Sequence, residues 1–218
     1  MESLTTQTLE GFLLTRNWRD TGDGVELEFW FTTEQGPLCA LVRGERAVFF
    51  LAAERLDRAR QILGKCEGLE IRPVKLRDFA LHPVVALYSS SYRQARRWAD
   101  QLREAGLDPL EADINPADRF LMERFVAGSA LLRGEPQVRG RHLLMENPAI
   151  AAGEYRPALK MLSFDIETAM EGLQLYSIAG HGSGGDEEVR RVFMVGQGAT
   201  QEHVTACDSQ AQALETFL

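Results

Sequence analysis

Residues 25–31, Val-Glu-Leu-Glu-Phe-Trp-Phe, constrain the fold of this chain more than any other stretch. Val25, Leu27, Phe29 and Phe31 alternate with Glu26, Glu28 and Trp30. That period of two buries one face of a strand and leaves the other mostly polar, with an aromatic on it. EGFLLTRNW precedes the run, and PLCALVR and RAVFFLA follow it. Turn chemistry separates them at Thr21-Gly22-Asp23-Gly24, Gln35-Gly36-Pro37 and Gly44-Glu45. The first fifty residues therefore read as an antiparallel meander of these four segments.

Helical spacing takes over afterwards. AERLDRARQIL reads as a short helix, and HPVVALYSS as an apolar strand feeding SYRQARRWADQLREAG. In that second helix Ala95, Trp98, Ala99 and Leu102 share a face, Ser90 or Ser91 can cap the start and Gly106 can close the end. LDPLEADI reads as a further strand. Asn115-Pro116-Ala117-Asp118 then supplies an N-cap, a proline at the first helical position and an acid in the first turn, opening ADRFLMERFV. This middle segment thus has a strand–helix–strand–helix, α/β pattern. Short β segments and Gly/Pro-rich loops fill 128–160, so a domain boundary is expected near residue 155, dividing 1–155 from 156–218. Beyond Pro157, LKMLSFDIETAM, GLQLYSIAGHG and VRRVFMVG read as three strands of a new sheet. DSQAQALETFL reads as an amphipathic helix with Ala211, Leu214 and Leu218 on one face.

Composition narrows the class. With 218 residues and 44% hydrophobic content the chain can bury a real core. A net charge of −8 argues against a dedicated, strongly basic nucleic-acid clamp, although local basic patches remain. The acidity sits in the last third: residues 151–218 carry 4 Lys+Arg against 10 Asp+Glu, while 1–150 carry 20 against 22. Cys39, Cys66 and Cys207 lack CxxC spacing and a histidine at ligand spacing, so neither a disulfide framework nor a zinc site is indicated. No apolar run approaches a membrane span and no signal peptide is visible, so a reducing cytoplasmic location without membrane contact is expected.

The chemistry concentrates in LSFDIETAM. The apolar residues before Asp165 imply a buried strand, and strand geometry puts Asp165 and Glu167 on one face with Ile166 on the other. Two carboxylates so placed can share divalent cations, and a pair of such ions about 4 Å apart clamps the attacking and leaving oxygens of phosphodiester hydrolysis. Oxygen ligands suit Mg²⁺ or Mn²⁺. A bare Asp-x-Glu triplet is usually a solvated face. Here, however, a second apolar strand, LQLYSIAG, follows across a short polar connection, like the opening hairpin of a ribonuclease H-like nuclease. Asp186, Glu187 and Glu188 read as a solvated turn.

LKMLSFDIET resembles the first exonuclease motif of the family B DNA polymerases. EADINPADRFLMERF resembles the segment that precedes it in them, at the family's usual separation. Together with FLLTRNWRDTGDGVELEFWF, these runs resemble the bacterial polymerase II branch of that family over essentially the whole chain. The resemblance implies an α+β fold: an N-terminal mixed β-sheet domain with packed helices, followed by the first strands of a ribonuclease H-like 3′ to 5′ exonuclease domain. It implies that Asp165 and Glu167 are catalytic, metal-binding carboxylates, that Phe164 and Ile166 are core residues and that Thr168 lies at the site's edge. The implied parent is a DNA-directed DNA polymerase with 3′ to 5′ proofreading exonuclease, acting in DNA replication and repair. Its expected partners are DNA, through template and primer 3′ end, deoxynucleoside triphosphates and a sliding clamp. The family's remaining exonuclease motifs and its polymerase motifs are not found here. The chain is therefore expected to be inactive by itself, with weak or absent Mg²⁺ or Mn²⁺ binding.

Four further residues, Arg133, Arg139, Arg141 and His142, lie in a Gly-rich segment beside the boundary and are candidate DNA contacts. Arg93, Arg96, Arg97 and Arg103 form a possible phosphate stripe, partly cancelled by Asp100 and Glu104, and read better as a solvated helix face. Base stacking by Trp18, Trp30, Phe49 and Phe50 is one reading, but core packing is the simpler expectation. The histidines at 82, 142, 181 and 203 have no mutual spacing that indicates a metal site or triad. Two alternatives stay open: a freestanding nucleic-acid-binding module without catalysis, and a complete small nuclease that would recruit Asp208.

Overall fold

The alternation at 25–31 produces the strand it implies. In the computed structural model, which describes residues 5–184, 188–197 and 201–218, β1 (Gln7–Thr21), β2 (Gly24–Thr33) and β3 (Gly36–Glu45) pair antiparallel in succession. Val25, Leu27, Phe29 and Phe31 are fully buried on the inner face. The fourth segment departs from the expected meander. Only Arg46 separates β3 from β4 (Ala47–Ala52), too little chain for a reversal. Gly44 (φ +75°) instead sits in a bulge, where Val25 pairs with Glu45 and Leu27 with Val42. β4 thereby leaves the first sheet and becomes an edge of a second.

That second sheet has the order β4-β6-β5. After α1 (Leu56–Leu63), β5 (Glu70–Arg77) and β6 (Pro83–Ser89) add to it, all pairs antiparallel. β5 escaped the sequence reading because Arg72, Lys75, Arg77 and Pro73 hide its apolar period, and an edge strand tolerates both charge and proline. α2 (Tyr92–Glu104) and α3 (Pro116–Met122) start at the caps the sequence offers: Ser91 Oγ accepts from Gln94 N, and Asn115 Oδ1 from Ala117 N. The strand expected at LDPLEADI is absent. Only Leu110 pairs, with Phe50, because Pro109 has no N–H to donate and Glu111 turns the chain at φ +55°. The middle segment is therefore an antiparallel sheet with helices on it, not an α/β repeat.

β7 (Ser129–Gly134), β8 (Gln137–Arg139), β9 (His142–Glu146) and β10 (Ala149–Ala152) complete the first sheet in the order β10-β7-β1-β2-β3-β9-β8, with β9 parallel to β3. One core cluster joins both sheets to all three helices. Phe29 stacks on Phe120 of α3 at 5.4 Å, and Trp98, Ala99 and Leu102 of α2 are buried in the same cluster. These elements make up one compact unit, residues 1–157; a second spans 158–218.

In the second unit, β11 (Met161–Thr168), β12 (Leu175–Ser183), β13 (Val189–Val195) and β14 (Val204–Cys207) form one sheet in sequence order, with β14 parallel to β13. α4 (Gln210–Phe217) packs on it, capped by Ser209 Oγ, which accepts from Gln212 N. Its buried residue is Ala213, not the expected Ala211–Leu214–Leu218 stripe. Phe217 decides the rotation, because its ring reaches both Phe164 (5.8 Å) and Phe193 (6.1 Å). No helix among the described residues is long and apolar enough to cross a membrane.

Candidate functional site

β11 is an edge strand of its sheet, and every residue in it is exposed. The expectation of a buried strand with core residues Phe164 and Ile166 is corrected: they are 58% and 47% exposed. α4 lies over β12, β13 and β14, and its Phe217 reaches Phe164 of β11. Register fixes the faces. Ile166 opposes Ile178, a core residue of this unit, so Leu162, Phe164 and Ile166 share the α4 face. Asp165 opposes Ala179 and Glu167 opposes Ser177 on the other face. The two carboxylates thus lie side by side in solvent, and Asp165 Oδ1 accepts from Ile166 N at 3.0 Å.

The same open face holds a group that the sequence reading passed over. His181 opposes Ser163 on one side and Arg190 on the other, one alternate position along from the Asp165–Ala179 row. Glu188 links them: its Oε1 lies 2.7 Å from His181 Nε2 and accepts from Arg190 Nη2 at 2.8 Å. The His181 hydrogen bond, then those from Arg190, hold the Glu188 carboxyl below the usual range. Ser163, Asp165, Ala179, His181, Arg190 and Val192 line one shallow concavity. The signal was legible as alternation from Ser163 and His181, but the pairing that joins the strands was not. Asp186 and Glu187 lie outside the described residues. Asp208 precedes α4 and its backbone N–H donates to Gln212. Among the described residues no three metal-ligating side chains converge.

The four candidate DNA contacts do not form one cluster along the sheet. Arg133 is exposed on β7, whereas Arg139, Arg141 and His142 belong to the β8–β9 hairpin, with β1, β2 and β3 between β7 and β9 in the sheet order. Arg139 donates to Gln137 (3.1 Å), and the His142 ring packs edge-on against Trp30 at 4.9 Å. Of the other aromatics, Phe49 is core, Trp18 packs on Tyr92 at 4.7 Å and Phe50 lies under the Arg119 guanidinium. On α2, Arg93 and Arg97 are exposed and Arg103 pairs with Asp100 at 2.7 Å.

A mixed β-sheet domain with packed helices, followed by a small four-stranded sheet, is a fold found in a family B DNA polymerase. The chain superposes with a TM-score of 0.65 on the family B DNA polymerase of the hyperthermophilic archaeon Pyrobaculum calidifontis, covering 96% of this chain and 28% of that one at 18% identity, a likeness of fold. Sequence narrows the relationship to the polymerase II branch. Residues 11–45 match the family model described as DNA polymerase II, N-terminal, and residues 47–107 the one described as DNA polymerase II, insertion domain. The chain is 38% identical over 192 residues to DNA polymerase II of Escherichia coli (strain K12), an overlap of 85% of this chain and 23% of that protein. The chain is therefore similar to the amino-terminal part of DNA polymerase II and spans about a quarter of the length of that curated relative.

Proposed function

We propose that this chain supplies the N-terminal domain and the leading strands of a 3′ to 5′ proofreading exonuclease domain of ribonuclease H-like fold in a DNA-directed DNA polymerase, acting in DNA replication and repair. The observation that carries the reading is the placement of Asp165 and Glu167 as neighbouring carboxylates on the open face of β11. Their oxygen-only donor set fits Mg²⁺ or Mn²⁺ and has room for it. Bound there, such a cation would polarise a phosphodiester and activate water. Asp165 and Glu167 would each lend an oxygen, and the backbone N–H of Ile166 would orient the Asp165 carboxylate.

Two carboxylates hold a pair of metal ions weakly, so the chain by itself is inactive and binds metal poorly. Template and primer 3′ end are the DNA partners of the whole protein, with Arg133, Arg139, Arg141 and His142 as contacts on the first unit. Deoxynucleoside triphosphates and a sliding clamp are partners of the polymerase beyond this region. Calorimetric titration with Mn²⁺ tests the ligand assignment: weak binding is expected, lost in Asp165→Ala and in Glu167→Ala, and binding unchanged in both variants would overturn it. A nuclease assay on single-stranded DNA with Mn²⁺ tests the inactivity, which 3′ digestion abolished by Asp165→Ala would overturn.

A further inference from the structure

We infer that His181 and Arg190 form a phosphate subsite for single-stranded DNA on the open face of the second sheet, one nucleotide step from Asp165. The inference rests on the exonuclease reading for its substrate and names a site which that reading does not contain. Strand register is the first ground. His181 is the diagonal neighbour of Asp165 across the β11–β12 pair, a separation of roughly 7–8 Å, comparable to the step between neighbouring phosphates of an extended single strand. Arg190 stands beside His181 on β13, so the two side chains extend the row away from the carboxylates. A strand with one phosphodiester at Asp165 and Glu167 would lay the next over His181 and Arg190.

Chemistry is the second ground. His181, Arg190 and Glu188 are all exposed, and the Arg190–Glu188 ion pair in solvent contributes little. Arg190 gives Nε and Nη2 to Glu188 and keeps further guanidinium N–H donors for a phosphate. Glu188 holds His181 and Arg190 in place and also competes with the incoming anion. The floor between the acidic and basic ends is made by Ala179 and Val192. These short side chains let an extended chain lie flat on the sheet.

Fluorescence anisotropy of a labelled thymidylate tetramer, titrated with the chain in EDTA, tests this with no metal involved. The double variant His181→Gln/Arg190→Gln is expected to weaken binding about tenfold and to flatten the slope of log affinity against log salt by about 0.7 for the lost Arg190 contact. Glu188→Gln is expected to strengthen binding severalfold, a gain that a misfolded variant cannot produce. No binding by the unaltered chain, or affinities unchanged in both variants, would overturn the subsite. Complete displacement of the tetramer by an equal phosphate concentration of inorganic phosphate would overturn the polynucleotide track and leave a simple anion site. The metal reading is tested apart: any strengthening on adding Mn²⁺ that Asp165→Asn/Glu167→Gln removes reports on the carboxylates alone.

Discussion

Asp20, near the end of β1, closes the amino end of α2 through Ser91: Ser91 Oγ donates to Asp20 Oδ2 at 2.8 Å. The same carboxylate accepts from the backbone N–H groups of Tyr92 (2.8 Å) and Arg93 (3.1 Å). Ser91 in turn accepts from Gln94 N. The helix start is thus capped twice, once from within its own segment and once from a strand some seventy residues earlier.

Because the second cap carries a negative charge at the positive end of the helix, Asp20→Ala is expected to cost about 1–2 kcal/mol. Asp20→Asn, which keeps an acceptor and loses the charge, should cost less. Urea denaturation followed by tryptophan fluorescence measures both. All three tryptophans, at 18, 30 and 98, lie in the first unit, and Trp18 packs on Tyr92 at this corner.

That corner also shows what the sequence could and could not carry. Ser91, Asn115 and Pro116 announce their helices because a cap is a local device. The partner Asp20 is invisible until β1 and α2 are side by side. The same division runs through the sheets. The alternation of β2 specified its buried face, yet the departure of β4 depends on a one-residue connection, and the parallel entry of β9 beside β3 depends on distant chain. In the second unit the period of two set Asp165 beside Glu167. The exposure of Phe164 followed from α4 docking over β12 to β14, a choice made by Phe217 rather than by Leu214.

Stability should respond to acid through Glu26. It lies on the outer face of β2 and yet is only 6% exposed, because Arg19 (2.6 Å) and Arg43 (2.9 Å) close over it, and Arg43 continues to Glu146 at 2.6 Å across β9. Burial pushes the carboxyl up, but the hydrogen bonds from Arg43 and Arg19 outweigh it and hold it below its ordinary value. A carboxyl lower in the folded than in the unfolded state stabilises above its ordinary value, and that contribution is lost as pH falls through the folded one. Glu26→Gln is expected to cost about 1–2 kcal/mol at neutral pH and to remove part of the acid limb of the stability curve. Glu45 has the opposite sign. Burial, reinforced by Glu123 and opposed by Arg124, raises its carboxyl. It stabilises only at low pH and loses that contribution as pH rises through the raised value. Glu45→Gln should therefore raise the neutral Tm while Glu26→Gln lowers it.

The edge position of β11 makes a contrast between two phenylalanines that both touch Phe217. Phe193 is buried beneath α4 and Phe164 is 58% exposed. Phe193→Ala is expected to cost about 3–4 kcal/mol, and Phe164→Ala less than about 1 kcal/mol. Hydrogen exchange of amides in β12 (Leu175–Ser183) and β13 (Val189–Val195) reads this directly: protection should collapse in the first variant and persist in the second. Equal loss would mean that β11 is held by its apolar face after all.

The turn between β1 and β2 provides the sharpest test of backbone geometry, because two glycines a residue apart have different reasons to be there. Gly24 adopts φ +132°, and a Cβ on it would stand 2.9 Å from the Glu45 carbonyl oxygen and 3.1 Å from Gly44 Cα, both fixed backbone at the β3 bulge. Gly22 has no positive φ, and a Cβ there meets nothing within 4 Å. Gly24→Ala must therefore strain the turn or push the bulge aside, at a cost of about 1–3 kcal/mol. Gly22→Ala should be neutral or slightly stabilising, since it restricts only the unfolded chain. Thermal melts of the two variants beside the unaltered chain decide it, and a similar loss in both would show that the turn needs flexibility rather than the particular conformation of Gly24.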